Sequence, residues 1–257
     1  MTLFYQLLIL CPLLFIAGII DGISGGGGLI ALPSYLLAGL PVSAAYGCNK
    51  MQSCLGTSAS MAKYMQSGMF DLKAALPAAA TAMAGAWCAT QIMLTLPDTT
   101  KKVIITVATF FVIGIMLLSG RMKVENYALR RIDFSGKNII ISMGIGLLLG
   151  LYDGFFGPGG GTVAIILFAI FMKYDMRVGC GNGKFIIVVS NFISMVTYIL
   201  HGDVVYKIAL PCSVCNIAGS YLGATLATKR GAKFVKYISW VVTGMLLIYT
   251  IRELIAG

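Results

Sequence analysis

The sequence predicts an all-α polytopic membrane protein made of two homologous repeats, each of about five helical segments and each interrupted by a glycine-rich break. Three observations predict this. Of 257 residues, 58% are hydrophobic and 11% charged, with a mean hydropathy of +0.90, whereas soluble domains carry about 25% charged residues. Apolar runs recur from Leu3 to Ile255 with only short polar breaks, which excludes one soluble core. Finally, Asp21-Gly22-Ile23-Ser24-Gly25-Gly26-Gly27-Gly28 returns as Asp153-Gly154-Phe155-Phe156-Gly157-Pro158-Gly159-Gly160-Gly161. Irregular glycine backbone at membrane depth is tolerated only where protein buries it or a wet cavity meets it.

The segments of the first half run near 3–20, 29–39, 42–64, 72–95 and 100–119. Those of the second run near 138–152, 162–173, 177–200, 205–228 and 234–255. A full span needs about 20 apolar residues. The segments that follow each glycine cluster are about half that, which suits half-helices or re-entrant hairpins. Residues 3–20 read as mature structure rather than a signal peptide. They have no basic start and no small-residue cleavage site, Pro12 interrupts them, and their counterpart lies mid-chain.

The register of the two halves supports duplication. Asp21 and Asp153 are 132 positions apart (153 − 21), as are Gly47 and Gly179. Two residues then enter the second half, and Lys50 with Lys184 (184 − 50), Pro77 with Pro211 and Gly85 with Gly219 hold a spacing of 134. Residues 1–119 are therefore expected to form the first repeat, 120–137 a basic linker and 138–257 the second repeat.

The net charge of +10 is concentrated in Arg121, Lys123, Arg130, Arg131 and Lys137, and in Lys229, Arg230, Lys233 and Lys236. In a chain this apolar, such clusters mark cytoplasmic loops under the positive-inside rule rather than a nucleic-acid surface. That assignment puts both termini outside and inverts the second repeat relative to the first. Lys101 and Lys102, which fall outside, run against it, and a parallel arrangement stays open. The seven cysteines are scattered, and Cys212-Ser213-Val214-Cys215 lacks a second ligand pair. With His201 the only histidine, no metal site, cofactor or enzyme activity is expected. No Walker motif occurs, which argues against direct ATP coupling in this chain.

Two chemical signals remain. The glycines precede short helices starting near Leu29 and Thr162, and a helix start offers free N–H groups and a positive dipole end to an anion. The plain alternative is a tight turn and close helix packing. Beside each cluster stands a lysine early in an apolar helix, Lys50 and Lys184, where a charge normally faces a cavity or a partner. Asn49, Gln52, Asn182, Ser190 and Asn191 lie within a few turns and add hydrogen-bonding groups. The candidate binding set is thus Gly26, Gly27, Gly28, Asn49, Lys50, Gln52, Gly159, Gly160, Gly161, Asn182, Lys184, Ser190 and Asn191. Asp21 and Asp153 have three readings: caps of the half-helices, counter-charges to Lys184 and Lys50 across the repeat interface, or proton carriers.

At Asp21–Gly28, Gly47–Gln52, Gly157–Gly161 and Gly183–Asn191, followed by Gly202-Asp203-Val204 and Gly219–Ala227, the chain resembles the sulfite exporter TauE/SafE family of membrane permeases. The resemblance covers nearly the whole chain. It implies a multi-pass protein of the bacterial inner membrane that moves sulfur-containing anions such as sulfite, sulfoacetate or other organosulfonates. Two positions depart from the family pattern: Gly181-Asn182-Gly183-Lys184 stands for Gly-Thr-Ser-Lys, and Gly-Cys-Asn-Lys for Ala-Thr-Asn-Lys. The expected function is a secondary transporter of small anions by alternating access, with an anion channel or a membrane scaffold as alternatives. Its expected partners are the substrate and the lipid bilayer, with no nucleic acid, and a homodimer is left open.

Overall fold

A computed structural model describes residues 2–101, 103, 104, 107, 135–157, 159–230 and 237. The described residues contain no strand. Their helices are α1 (Leu3–Ser24), α2 (Gly28–Leu37), α3 (Val42–Gln66), α4 (Leu72–Thr95), α5 (Gly136–Phe155), α6 (Gly160–Met172), α7 (Met176–Leu200) and α8 (Tyr206–Arg230). Of these, α1, α5, α7 and α8 are long and apolar enough to cross a membrane. The expected segments 100–119 and 234–255 and the linker 120–137 fall almost wholly outside the described residues.

The breaks come later than the sequence reading places them. α1 continues to Ser24 and α5 to Phe155, so Asp21 and Asp153 belong to the last turns of helices rather than to the loops. Gly25, with φ +77°, donates its N–H to Asp21 O at 2.8 Å and closes α1 in the left-handed conformation. Gly157, at φ +73°, takes the same conformation just past α5. A side chain is strained at these two positions.

After its break α2 turns back along α1. Gly27 packs against the Ala17 backbone near the break, and Gln6 Nε2 donates to Ala38 O (2.8 Å) at the far end. α1 and α2 therefore form a hairpin, with α2 about half the length of a span. α3 and α7 run antiparallel. Tyr46 stacks on Tyr198 (centroids 6.3 Å apart) at one end, Cys54 Sγ donates to Val188 O (4.0 Å) in the middle, and Gly181 meets Met69 and Tyr64 at the other end.

The outer packing is interleaved between the halves. α1 of the first half lies along α8 of the second, and α4 of the first lies along α5 of the second. Both seams are lined by small residues. Gly146 and Gly150 meet the backbones of Ala78 and Ala82, Gly154 meets Ala86 and Ala89, and Gly219 and Gly223 meet those of Phe15 and Ile19. Lipid supplies little hydrophobic drive between helices, so close backbone approach and dispersion hold such seams. Asn216 adds a polar tie, its Nδ2 donating to Leu14 O at 2.9 Å.

Two corners are fastened by polar groups. Tyr174, between α6 and α7, donates to Asp71 Oδ2 (2.6 Å) at the start of α4. Burial, the hydrogen bond and the Asp71 charge all push its phenol up, so it stays a donor. Lys101, which the charge pattern leaves as an awkward outer cation, is buried; it pairs with Asp98 (3.3 Å) and donates to Ser43 Oγ (2.7 Å).

The seams carry a direct prediction. A Cβ at Gly150 overlaps the Ala82 backbone, whereas one at Gly144 on the same helix meets nothing within 4 Å. Gly150→Val is expected to lower stability by about 1–3 kcal/mol through overpacking. Gly144→Ala is expected to leave it unchanged or raise it by roughly 0.5–1 kcal/mol through helix propensity. Thermal unfolding of the two purified variants checks both.

Candidate anion site

The two buried lysines exchange partners between the halves. Lys50 of α3 pairs with Asp153 of α5 (3.1 Å), and Lys184 of α7 pairs with Asp21 of α1 (2.7 Å). Each ammonium also donates to the main-chain carbonyl of the same aspartate. Each ammonium thus sits at the C-terminal end of a helix, where the last carbonyls and the negative dipole end favour a cation. Lys50 is 0% and Lys184 1% exposed, so both are enclosed by protein.

The carboxylates take one hydroxyl each. Thr57 Oγ1 donates to Asp21 Oδ2 at 3.1 Å, and Ser190 donates to Asp153 Oδ2. The ion pairs put both aspartates in the counter-charge arrangement. Capping is not realised: α2 and α6 begin at Gly27 and Gly159 without a side-chain cap. Their first turns close instead on glycine carbonyls, with Leu29 donating to Gly26 O (3.2 Å) and Thr162 to Gly159 O (3.0 Å).

The two glycine turns abut. Gly25 and Gly161 approach so closely that a Cβ on either would collide with the other's backbone, and Thr162 Oγ1 donates to Ser24 O at 2.9 Å. Between the breaks and the lysine helices lies a polar cavity of about 20 Å³, room for one or two waters. Its walls are the breaks (Gly25, Gly28, Gly157, Gly161), the charged groups Asp21, Asp153 and Lys184, and one face each of α3 and α7. That face is Asn49, Ser53 and Thr57 on α3, and Ile187 and Asn191 on α7.

Of the expected set, Gly28, Asn49, Gly161, Lys184 and Asn191 reach the cavity with both aspartates. Lys50 and Ser190 stand just behind it, bonded to Asp153. Asn182 is elsewhere: its Oδ1 accepts from Asp71 N (2.9 Å) at the α3–α4 corner. Gln52, Gly26, Gly27, Gly159 and Gly160 are not among the walls. Asn49 Oδ1 is buried and without a hydrogen-bond partner among the described residues. Gly25, Ser53, Thr57, Gly157 and Ile187 are walls that the expected set omits. Positions three and seven residues after each lysine share its helix face, and that spacing picks out Ser53 and Thr57 after Lys50, and Ile187 and Asn191 after Lys184.

A family model described as Sulfite exporter TauE/SafE matches residues 10–252. The chain belongs to the sulfite exporter TauE/SafE family. It is 30% identical over 253 residues to a "Probable membrane transporter protein ORF9" of Sinorhizobium sp, covering 97% of this chain and 94% of the relative. It is 24% identical to a "Probable membrane transporter protein" of Haemophilus influenzae, covering 86% and 85%. It is 23% identical to the "Probable membrane transporter protein YfcA" of Escherichia coli strain K12, covering 96% and 93%. No solved structure matches the chain. The family and the apolar helices make the chain a multi-pass membrane transporter, which is not a class of enzyme.

The pairing is testable by stability. Removing one partner of a buried ion pair leaves the other uncompensated, at a cost of about 3–5 kcal/mol. Lys50→Met is expected to destabilise by that order, and Lys50→Met combined with Asp153→Asn to recover most of the loss. Thermal unfolding of Lys50→Met, Asp153→Asn and the double variant in detergent makes the comparison, and independent, additive effects would contradict the pairing.

Proposed function

We propose that the chain is a secondary transporter of small sulfur-containing anions, such as sulfite or a short organosulfonate, in the bacterial inner membrane. The observation that carries this reading is one cavity on which two helix N-termini and a buried lysine converge, with a second lysine directly behind it. Backbone N–H groups and dipole ends recognise oxyanions without base or metal chemistry. Asn49 and Asn191 supply hydrogen bonds from the two sides.

The same reading takes the halves as inverted repeats that rock against each other. Three features support it: the antiparallel course of α3 and α7, the exchange of lysine and aspartate between halves, and the reciprocal packing of α1 on α8 and α4 on α5. Along the α3–α7 pair the helix positions of Lys50 and Lys184 are offset by about ten residues, roughly 15 Å of axial rise, while their side chains reach toward the same cavity. A rocking motion that opens the cavity first to one side and then to the other gives alternating access. The cavity is too small in this state for an organic anion, so the geometry favours a carrier that rearranges over an open channel.

Purified protein in liposomes is expected to take up labelled sulfite or methanesulfonate. Lys184→Ala is expected to cut the rate by about tenfold or more, the loss of at least one charge-assisted contact. Asn49→Ala is expected to lower it less. Full activity in Lys184→Ala would remove the site from the transport path, and stabilisation of the protein by cations alone would overturn the anion reading.

A further inference from the structure

We propose that the anion crosses with a proton, without net charge movement, and that Asp21 accepts this proton when the anion takes its place on Lys184. This rests on the anion-transport reading above.

The charge count comes first. Lys50 and Lys184 balance Asp21 and Asp153, so the empty site is formally neutral. An anion added to it would be an uncompensated charge far from water, which a low-dielectric interior penalises heavily. Neutrality returns if one carboxylate gains a proton as the anion arrives. The cavity volume agrees with this: about 20 Å³ holds a water or two, so an anion reaches Lys184 only as the walls move or the ion pair opens.

The two pairs are not equivalent. Lys184 and Asp21 both form cavity wall, and the Asp21 side chain is 16% exposed. Lys50 is sealed behind the wall, and Asp153 is 2% exposed with Ser190 donating to the carboxylate oxygen that faces Lys50. The Lys184–Asp21 pair is therefore the one free to open. It can open without stranding the lysine, because Lys184 keeps its bond to the Asp21 main-chain carbonyl. Thr57 suits either state of Asp21. Its hydroxyl donates to the carboxylate and can turn to accept from the carboxylic acid.

Among the described residues, the charged groups around Asp21 are Lys184 and, across the cavity, Asp153. From α7 it faces Lys184, while Cys180 donates its thiol hydrogen to Ile23 O. From α3, besides Thr57, Tyr64 donates to the carbonyls of Gly22 and Ile23. From α2 and α6 it meets glycine turns, from α8 the Ser220–Ala224 stretch beside Gly22, and from α5 Asp153 across the cavity. The step is a simple exchange. A proton from the aqueous side adds to the Asp21 carboxylate, the anion pairs with Lys184, and release on the far side reverses both.

Wild-type protein in liposomes tests this with labelled methanesulfonate, which stays fully ionised and brings no proton of its own. With the membrane potential clamped, an acidic exterior is expected to drive accumulation. About one proton should enter per anion, as intramembrane carboxylates relay protons in pumps, and the rate should not follow the voltage. Asp21→Asn is expected to bring the proton-to-anion ratio near zero at whatever rate remains, and an unchanged ratio would overturn the assignment to Asp21. If that variant does not fold, voltage-independent, proton-accompanied uptake by wild type still supports the coupling. Wild-type uptake that carries net negative charge or ignores the pH gradient overturns the coupling and leaves the transport reading standing. No methanesulfonate uptake overturns this inference, and it overturns the transport reading too when sulfite uptake is also absent.

Discussion

The structure is organised by the need to keep two lysines inside a membrane protein. An isolated ammonium in hydrocarbon is too costly to persist, and both of these are essentially inaccessible to solvent. Each is held by a carboxylate and a main-chain carbonyl of one aspartate in the other half of the chain. α1 and α5 stop just past Asp21 and Asp153, which brings the last carbonyls of each helix within reach of an ammonium. The same endings create the starts of α2 and α6. The positive and negative features of the site are two sides of one pair of breaks.

Close packing makes that arrangement geometrically available. The glycines that face Ala78, Ala82, Phe15 and Ile19 let the backbones of α1 and α8, and of α4 and α5, approach without intervening side chains. Because each seam joins one half to the other, the halves are interleaved, and the cavity is walled by both. Movement of one half relative to the other must therefore act on the cavity and on its ion pairs together. Thr57 and Ser190 have matching parts here, each donating to the aspartate whose lysine comes from the opposite side.

Much of the fold was legible. Apolar segments, their order and the short pieces after each glycine cluster follow from hydropathy and length, and the boundaries moved by only a few residues. The extension of α1 and α5 through their aspartates was missed because Asp-Gly reads as a loop signal in isolation. Within the site, the charged residues and the breaks could be read because they are expensive or rare in a membrane. The neutral wall was harder: Ser53 and Thr57 look like small packing residues. Asn182 and Gln52 were drawn in by sequence proximity, but each is two residues from its lysine, about 200° around the helix. Asn182 accordingly serves the corner at Asp71.

Taken alone, the chain of amino acids determined the solvent this protein lives in, the number and approximate length of its described helices, and where they break. It also determined that two lysines and two aspartates must be reconciled at depth. These are local matters: residue hydropathy, glycine conformation and the cost of a charge act on short stretches. Which aspartate meets which lysine, the antiparallel course of α3 and α7, and the cavity between the breaks were decided only by the tertiary structure. Those features join residues more than a hundred positions apart, and their distances depend on how closely the small-residue seams let whole helices approach.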